Sequence, residues 1–529
     1  MKKQITKHFM AFFLSLVMIM AMGLTAFADE GSNSLTIQNE GKTSHIFELY
    51  QIFTGDLSGG TLSNLKWGDG VTEAGQKAFG DASKKAEELE VDDKAGKAPA
   101  REFAEALVAG ADGTSYLTNP NKKPADSGSD VVFSDLKAGY YLVMDEAKSQ
   151  DGATNGATTS YIMQVVGNVT QRAKLDVPTV EKKVKDTNDS TGKTSGWQDS
   201  ADADIGDDVQ YQITGTMPGN IADYTTYKYV FTDTMSKGLT YTASTDEKKS
   251  FKVMLHTSDN DENGTDITRY FNETIKGYVG SDQYSGGKVI TWTCDNLKGI
   301  EGVTLDENTK VVITYTAKLN ENAVIGSTGN PNKVYLTYSN NPNNGGGGET
   351  GKTPDDKNIV FTYKMVVNKK DPDGKPLAGA GFKLEKKTSN NTYEVVNTIN
   401  AGNDSDGKGI TTFEFTGLDD GTYKLTEVDT PAGYNTIAPV EFTISATHND
   451  TADEPELLTL TGDKKTGEAT FTADLSAGSL TTDIVNKKGS TLPSTGGRGT
   501  TMIYIIGAAL VVMAGVVLAM RKKMNSKES

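Results

Sequence analysis

The residues whose chemistry could be specialised are few. The chain has a single cysteine, Cys294, which forbids an intramolecular disulfide framework and a cysteine-based zinc site. Four histidines (His8, His45, His256 and His448) stand far apart, without the short spacing of histidine metal motifs. No Ser-His-Asp or Cys-His arrangement has a recognisable motif context. The run Gly345–Gly348 has no following helix or Lys-Ser/Thr, so it does not read as a phosphate loop. What remains are lysines inside strand patterns. In Val180-Glu-Lys182-Lys183-Val184, Lys182 shares a face with two valines and is expected to point inward. Lys183 then faces solvent, and a one-residue slip would exchange the two. A lysine in a low-dielectric core can lose its proton and become a nucleophile.

The elements that would position such residues are strands. Short alternating runs such as Val209-Gln-Tyr-Gln-Ile-Thr214, Val311-Val-Ile-Thr-Tyr315 and Val334-Tyr-Leu-Thr-Tyr338 are bounded by Gly, Asn, Asp and Pro. Their regular spacing predicts β-sandwiches. Helix-period signal is sparse, the main stretch lying around Lys84 to Leu107. With 529 residues the chain is long enough for three or four domains. Composition breaks near Lys174 to Pro178 and at Asn340–Gly348 divide it into 29–175, 176–340 and 358–490. Residues 341–357, rich in Gly and Asn, read as a flexible linker. The expected fold class is mainly β, with tandem immunoglobulin-like or prealbumin-like sandwiches in an elongated rod.

The two ends give an address. Lys2, Lys3 and Lys7 precede the apolar stretch Phe9 to Leu24, and Ala26-Phe27-Ala28 supplies small residues for signal cleavage between Ala28 and Asp29. Thr501 to Met520 carries no charged side chain and is followed by Arg521-Lys522-Lys523. Twenty residues at a rise of about 1.5 Å span a bilayer of roughly 30 Å. The cationic tail 521–529 is then expected to stay in the cytoplasm. Just ahead stands Leu492-Pro493-Ser494-Thr495-Gly496. Together these three parts resemble the cell-wall sorting signal of Gram-positive surface proteins. That resemblance implies cleavage between Thr495 and Gly496 by a sortase and transfer of the acyl group to an amine. Removing three positive charges from residues 1–28 and a net four from 496–529 takes the net charge from −17 to −24. So acidic a surface disfavours nucleic acid and anionic lipid.

The body of the chain resembles one family. Val367-Asn-Lys369-Lys-Asp371 and Pro376–Leu384 look like the opening strands of a collagen-adhesin B-type sandwich. Gly421–Glu427 with Pro431–Tyr434 resembles its acid-bearing strand and turn, and Asp483–Asn486 its closing strand. In that family a first-strand lysine condenses with a last-strand asparagine, assisted by a buried acid. The matching positions are Lys369, Asn486 and Glu427. The middle domain is similar to the second domain of backbone fimbrial subunits, which implies Lys182 (or Lys183), Asp233 and Asn332 in the same roles. In the first domain Asp145 occupies the acid position and Asn168 lies in a late strand, without a strand-placed lysine; Lys42 is in a turn-like context.

The chain is thus expected to resemble a sortase-assembled major pilin: a structural subunit, not an enzyme, with no metal or cofactor. Its expected partners are sortase, further copies of itself, peptidoglycan, accessory pilins and host surface ligands. The usual Tyr-Pro-Lys-Asn motif for the acceptor lysine is absent, and Lys174 in Gln171-Arg-Ala-Lys-Leu175 is the nearest candidate. The alternative is a monomeric adhesin attached directly to peptidoglycan.

Overall fold

The computed structural model describes residues 33–41, 43–89, 99–110, 113–173, 176–245, 248–258, 260–342, 345–489 and 498–525. The signal-cleavage pair Ala28–Asp29, Lys42, Lys174 and the sorting residues Thr495 and Gly496 lie outside them. Strands dominate, and they fall into two compact units.

The first unit holds two sandwiches. In the N-terminal one, Asn33–Gln38 pairs in parallel with Asn168–Arg172 and antiparallel with Val131–Leu136. A second sheet is built on the long strand His45–Ser58, beside Gly139–Asp145 and Ser160–Val165. Leu35, Ile37, Phe47, Phe133 and Val143 fill the space between the sheets. The other face of the second sheet is covered by the helices Glu73–Phe79, Ala82–Leu89 and Pro99–Ala109, which bury Phe53, Phe103 and Leu107. The helix expected around Lys84 to Leu107 is therefore at least two segments, with residues 90–98 outside the description.

The middle sandwich faces two larger sheets. One runs through Val180–Val184, Asp208–Thr216, Lys310–Leu319 and Phe251–His256. The other centres on Tyr229–Met235, flanked by Lys288–Cys294 and Asn330–Ser339. Alternation sends Tyr211, Ile213, Val311, Ile313 and Tyr315 from the first sheet, and Phe231, Trp292, Val334 and Leu336 from the second, into one core.

The Gly/Asn-rich segment does not behave as its composition suggests. Thr350–Lys352 pairs with Thr337–Ser339, and Asp356–Phe361 pairs antiparallel with Asn330–Val334. Both strands belong to the middle sandwich, whose chain continues to Thr362. The glycines serve close packing. The Gly345 carbonyl accepts from the Thr225 and Thr226 amides at 3.1 and 2.8 Å. Gly346 adopts φ +90°, and a Cβ there would lie 2.0 Å from the Thr226 carbonyl oxygen. Only glycine fits that position. The same segment meets the N-terminal sandwich, where the Gly152 amide donates to the Thr350 carbonyl at 2.6 Å and Asn155 to Lys352 at 2.7 Å. Composition cannot separate glycine used for flexibility from glycine used for contact.

The second unit is a smaller sandwich. Tyr363–Lys370 lies between Thr412–Leu418 (antiparallel) and Ser479–Val485 (parallel). Opposite it, Gly381–Lys387 and Gly421–Asp429 form the centre of a five-stranded sheet. The helix Arg498–Asn525 includes the apolar window Tyr504–Arg521, long enough to cross a membrane.

A flexible linker would tolerate a methyl group at residue 346. Gly346→Ala should instead destabilise the middle sandwich by at least about 2 kcal/mol, through strained backbone and the carbonyl clash, read as a lowered thermal midpoint.

Candidate functional site

Among the buried acids of the three sandwiches, Asp145, Asp233 and Glu427 hold the positions the sequence singled out, and their clusters differ in instructive ways. In the middle domain, Lys182 stands opposite Ile213 on its sheet and is fully buried. Asp233 and Asn332 come from neighbouring strands of the facing sheet, and both are also fully buried. Lys182 Nζ donates to Asp233 Oδ2 and, at 2.6 Å, to the Tyr315 hydroxyl. Tyr315 in turn donates to Asp233 Oδ2 at 3.0 Å and accepts from Asn332 Nδ2 at 2.9 Å. The lysine, acid and asparagine implied by resemblance thus meet between the two sheets. Lys183 points the other way, to Asp199 at 2.7 Å and Glu181 at 3.1 Å.

The surroundings of Lys182 are aromatic. Its Nζ lies 5.0 Å from the ring centre of Tyr211 and 5.1 Å from that of Tyr315, and these two rings stack at 5.1 Å. Burial pushes the Lys182 amine below its usual range, opposed by Asp233. Burial likewise pushes the Asp233 carboxyl upward, against the pull of Lys182. Both shifts favour a neutral amine beside a neutral acid, the pair that a condensation needs.

In the second unit, Lys369 and Asn486 come from adjacent parallel strands, Lys369 standing opposite Ile484. Lys369 is 1% exposed and Asn486 fully buried. Lys369 Nζ donates to the Ile484 carbonyl at 3.1 Å. Asn486 Nδ2 donates to Glu427 Oε1 at 2.7 Å, while Glu427 Oε2 accepts from the Ile437 amide at 3.0 Å. Burial lowers the Lys369 amine to about 8, with Glu427 acting in the opposite direction.

The N-terminal cluster departs from this plan. Asp145 is buried, and its Oδ1 lies 2.7 Å from His45 Nδ1 while Oδ2 accepts from the Thr159 amide at 2.7 Å. A histidine, which sequence reasoning passed over, stands where a lysine would be needed. Asn168 is exposed and bonds Ser34 at 3.0 Å, so the structure does not bring it to Asp145. Tyr315 was also missed, although its place in the alternating run from Val311 put it on the inward face.

Tandem sandwiches with buried lysine, acid and asparagine are followed by an apolar helix long enough to cross a membrane. Comparison with known proteins matches three segments of the chain. Residues 205–342 match the model of the Gram-positive pilin backbone subunit 2, Cna-B-like domain; 363–457 match the prealbumin-like fold domain; 484–527 match the LPXTG cell wall anchor motif. The chain thus combines a pilin-backbone Cna-B-like domain, a prealbumin-like domain and a cell-wall anchor motif, and is a secreted, cell-wall-anchored surface pilin.

Among curated relatives, the trypsin-resistant surface T6 protein of Streptococcus pyogenes serotype M6 is 27% identical over 415 residues, covering 67% of this chain and 70% of that protein. Serine-aspartate repeat-containing protein D of Staphylococcus aureus is 26% identical over 469 residues, and the chain spans only 33% of its length. The solved T6 backbone pilin of Streptococcus pyogenes, a modular three-domain structure, superposes with a TM-score of 0.51 at 18% identity, covering 88% of this chain and 100% of that one. At that identity the likeness concerns the fold.

The lowered Lys369 amine has a consequence for an unbonded domain. A folded-state value below the unfolded one means that the unfolded chain holds the proton more tightly. In Asn486→Ala, where Lys369 has no amide to attack, stability should rise as pH increases from about 8 towards 10.5. Thermal midpoints across that range would show the rise, and adding Lys369→Met should flatten it.

Proposed function

We propose that this backbone subunit is joined into a covalent fibre by a sortase, which forms an acyl-enzyme at Thr495 and passes it to Lys174 of the next copy. The same C-terminal signal, used on the last subunit, would attach the fibre to peptidoglycan. Accessory pilins and host surface ligands are the expected further partners, and adhesion the expected consequence. One electrophile and one nucleophile per subunit make a head-to-tail, heterologous contact, which grows an open filament instead of closing a ring.

Two internal Lys–Asn isopeptide bonds would hold the sandwiches against tension. Lys182 would attack the Asn332 side-chain carbonyl with Asp233 as the assisting acid, and Lys369 would attack Asn486 with Glu427 in that role. The observation that carries this reading is the burial of Lys182, Asp233 and Asn332 in one hydrogen-bonded cluster. Each reaction makes one C–N bond, breaks one and releases ammonia, so it is a single-turnover maturation. If the chain-entropy treatment of disulfides carries over, closing a loop of roughly 120–150 residues stabilises by about 5 kcal/mol. His45 has no amine to contribute, so the N-terminal sandwich is left out of this scheme.

Intact mass of the folded protein should fall about 17 Da below the sequence value for each bond, as one ammonia is lost per condensation. Asp233→Ala and Glu427→Ala should each restore one such increment, and a folded wild-type chain of unmodified mass would end the isopeptide reading. For polymerisation, wall extracts should show a detergent-resistant ladder of high-mass species. Lys174→Ala should abolish it and leave monomer on the wall; a ladder that persists there but vanishes in Lys183→Ala or Lys185→Ala would move the acceptor, and its absence from wild type would favour the monomeric adhesin.

A further inference from the structure

We infer that Tyr315 is a catalytic residue of the Lys182–Asn332 condensation, carrying a proton from the attacking amine to the departing one. This rests on the isopeptide reading of the middle domain.

The argument begins with proton bookkeeping. A neutral Lys182 amine that attacks the Asn332 carbonyl carbon becomes cationic as the new C–N bond forms, and must shed a proton. The Asn332 Nδ2 must gain one, because ammonia leaves and an amide anion cannot. The net change is Lys–NH2 plus Asn–CONH2 giving Lys–NH–CO–Asn plus NH3, with no outside reactant. A group touching both nitrogens can move that proton within the cluster.

The Tyr315 hydroxyl is such a group. Its oxygen is 2.6 Å from Lys182 Nζ and 2.9 Å from Asn332 Nδ2, while its own proton is directed at Asp233 Oδ2, 3.0 Å away. Among the described hydrogen bonds, it is the hydroxyl shared by all three participants. As Nζ gives a proton to the phenol oxygen, the phenol gives its own to Nδ2, and tyrosine ends unchanged. Asp233 remains the acid that polarises the carbonyl. Burial holds the Tyr315 phenol well above its ordinary range, so it acts as a neutral relay and not as a phenolate base.

The ring is placed for this by packing. Tyr315 stacks on Tyr211 and lies 5.2 Å from Trp292, and its strand is held on both sides, by Asp208–Thr216 and Phe251–His256. The hydroxyl is thereby fixed without freedom to swing away from the two nitrogens. The cluster around Lys369 works without this device. There Asn486 Nδ2 bonds directly to Glu427, and among the described residues no tyrosine hydroxyl bonds to Lys369, Glu427 or Asn486.

That difference supplies an internal control within one chain. Full-length protein would be pulse-labelled in the producing cell, digested at intervals, and the branched peptides containing Lys182–Asn332 and Lys369–Asn486 quantified by mass. In Tyr315→Phe the first should form at least about 10-fold more slowly, as expected for loss of a general acid–base group, while the second keeps its rate. Tyr338→Phe, which removes a buried hydroxyl of the same sandwich that bonds the Gly156 carbonyl, should leave both rates unchanged. A Tyr315→Phe chain that forms the Lys182 bond at the wild-type rate overturns the assignment while leaving the isopeptide reading intact. Absence of the Lys182–Asn332 peptide from wild type overturns both. Should Tyr315→Phe fail to fold, wild-type chain grown with 3-fluorotyrosine answers the question. Its more acidic phenol should change the ratio of the two rates, and an unchanged ratio overturns the relay.

Discussion

The cost of taking a charged amine out of water governs the interior of these sandwiches. An isolated ammonium in a core is too expensive to keep, so it must be paired, neutralised or consumed. Lys182 and Lys369 are held inside by strand register, which gives neither of them a route to solvent. Register is itself enforced by the valines and aromatics that share their faces, since a slip of one residue would expose the whole hydrophobic set. The packing that makes the sandwich therefore also lowers the proton affinity of both amines, and sets Asp233 against Lys182.

The two lysine clusters solve the same problem with different geometry. In the middle domain Lys182 and Asn332 come from opposing sheets, so a bond between them would tie the layers of the sandwich face to face. In the second unit Lys369 and Asn486 belong to neighbouring strands of one sheet, near its opening and closing strands. A bond there would lock two parallel strands that tension along the chain would otherwise shear. The N-terminal sandwich keeps a buried acid but pairs it with His45, whose Nδ1 lies 2.7 Å from Asp145 Oδ1.

Much of this was legible in the sequence because strand alternation is a strong signal. The step from Val180 to Lys182 to Val184 is enough to send one lysine inward and its neighbour to Asp199. Asn332 and Asp233 needed a resemblance to be noticed, since single polar residues in strands carry no periodic mark. What escaped has physical causes. Tyr315 looked like an ordinary core aromatic, because the placement of a hydroxyl depends on contacts between sheets. His45 fell outside any lysine pattern. The glycines at 345–346 looked like slack chain, whereas a positive φ and a carbonyl at contact distance are invisible in composition.

That last point bears on how force would pass along the molecule. Composition reads residues 341–357 as a loose tether between the middle sandwich and residues 358–490. Instead the segment adds strands to the middle sheet, and its Thr350–Lys352 backbone bonds to the Gln150–Asn155 turn of the N-terminal domain. Tyr338 adds a hydroxyl bond to the Gly156 carbonyl at 3.1 Å, and Asn340 bonds the Gln150 carbonyl at 2.8 Å. These contacts join the two sandwiches of the first unit. Force on the N-terminal sandwich can reach the middle core through backbone hydrogen bonds as well as through the covalent chain. A Cβ at Gly351 would lie 2.5 Å from the Gly156 carbonyl oxygen, so this glycine is what lets the segment approach the N-terminal domain so closely.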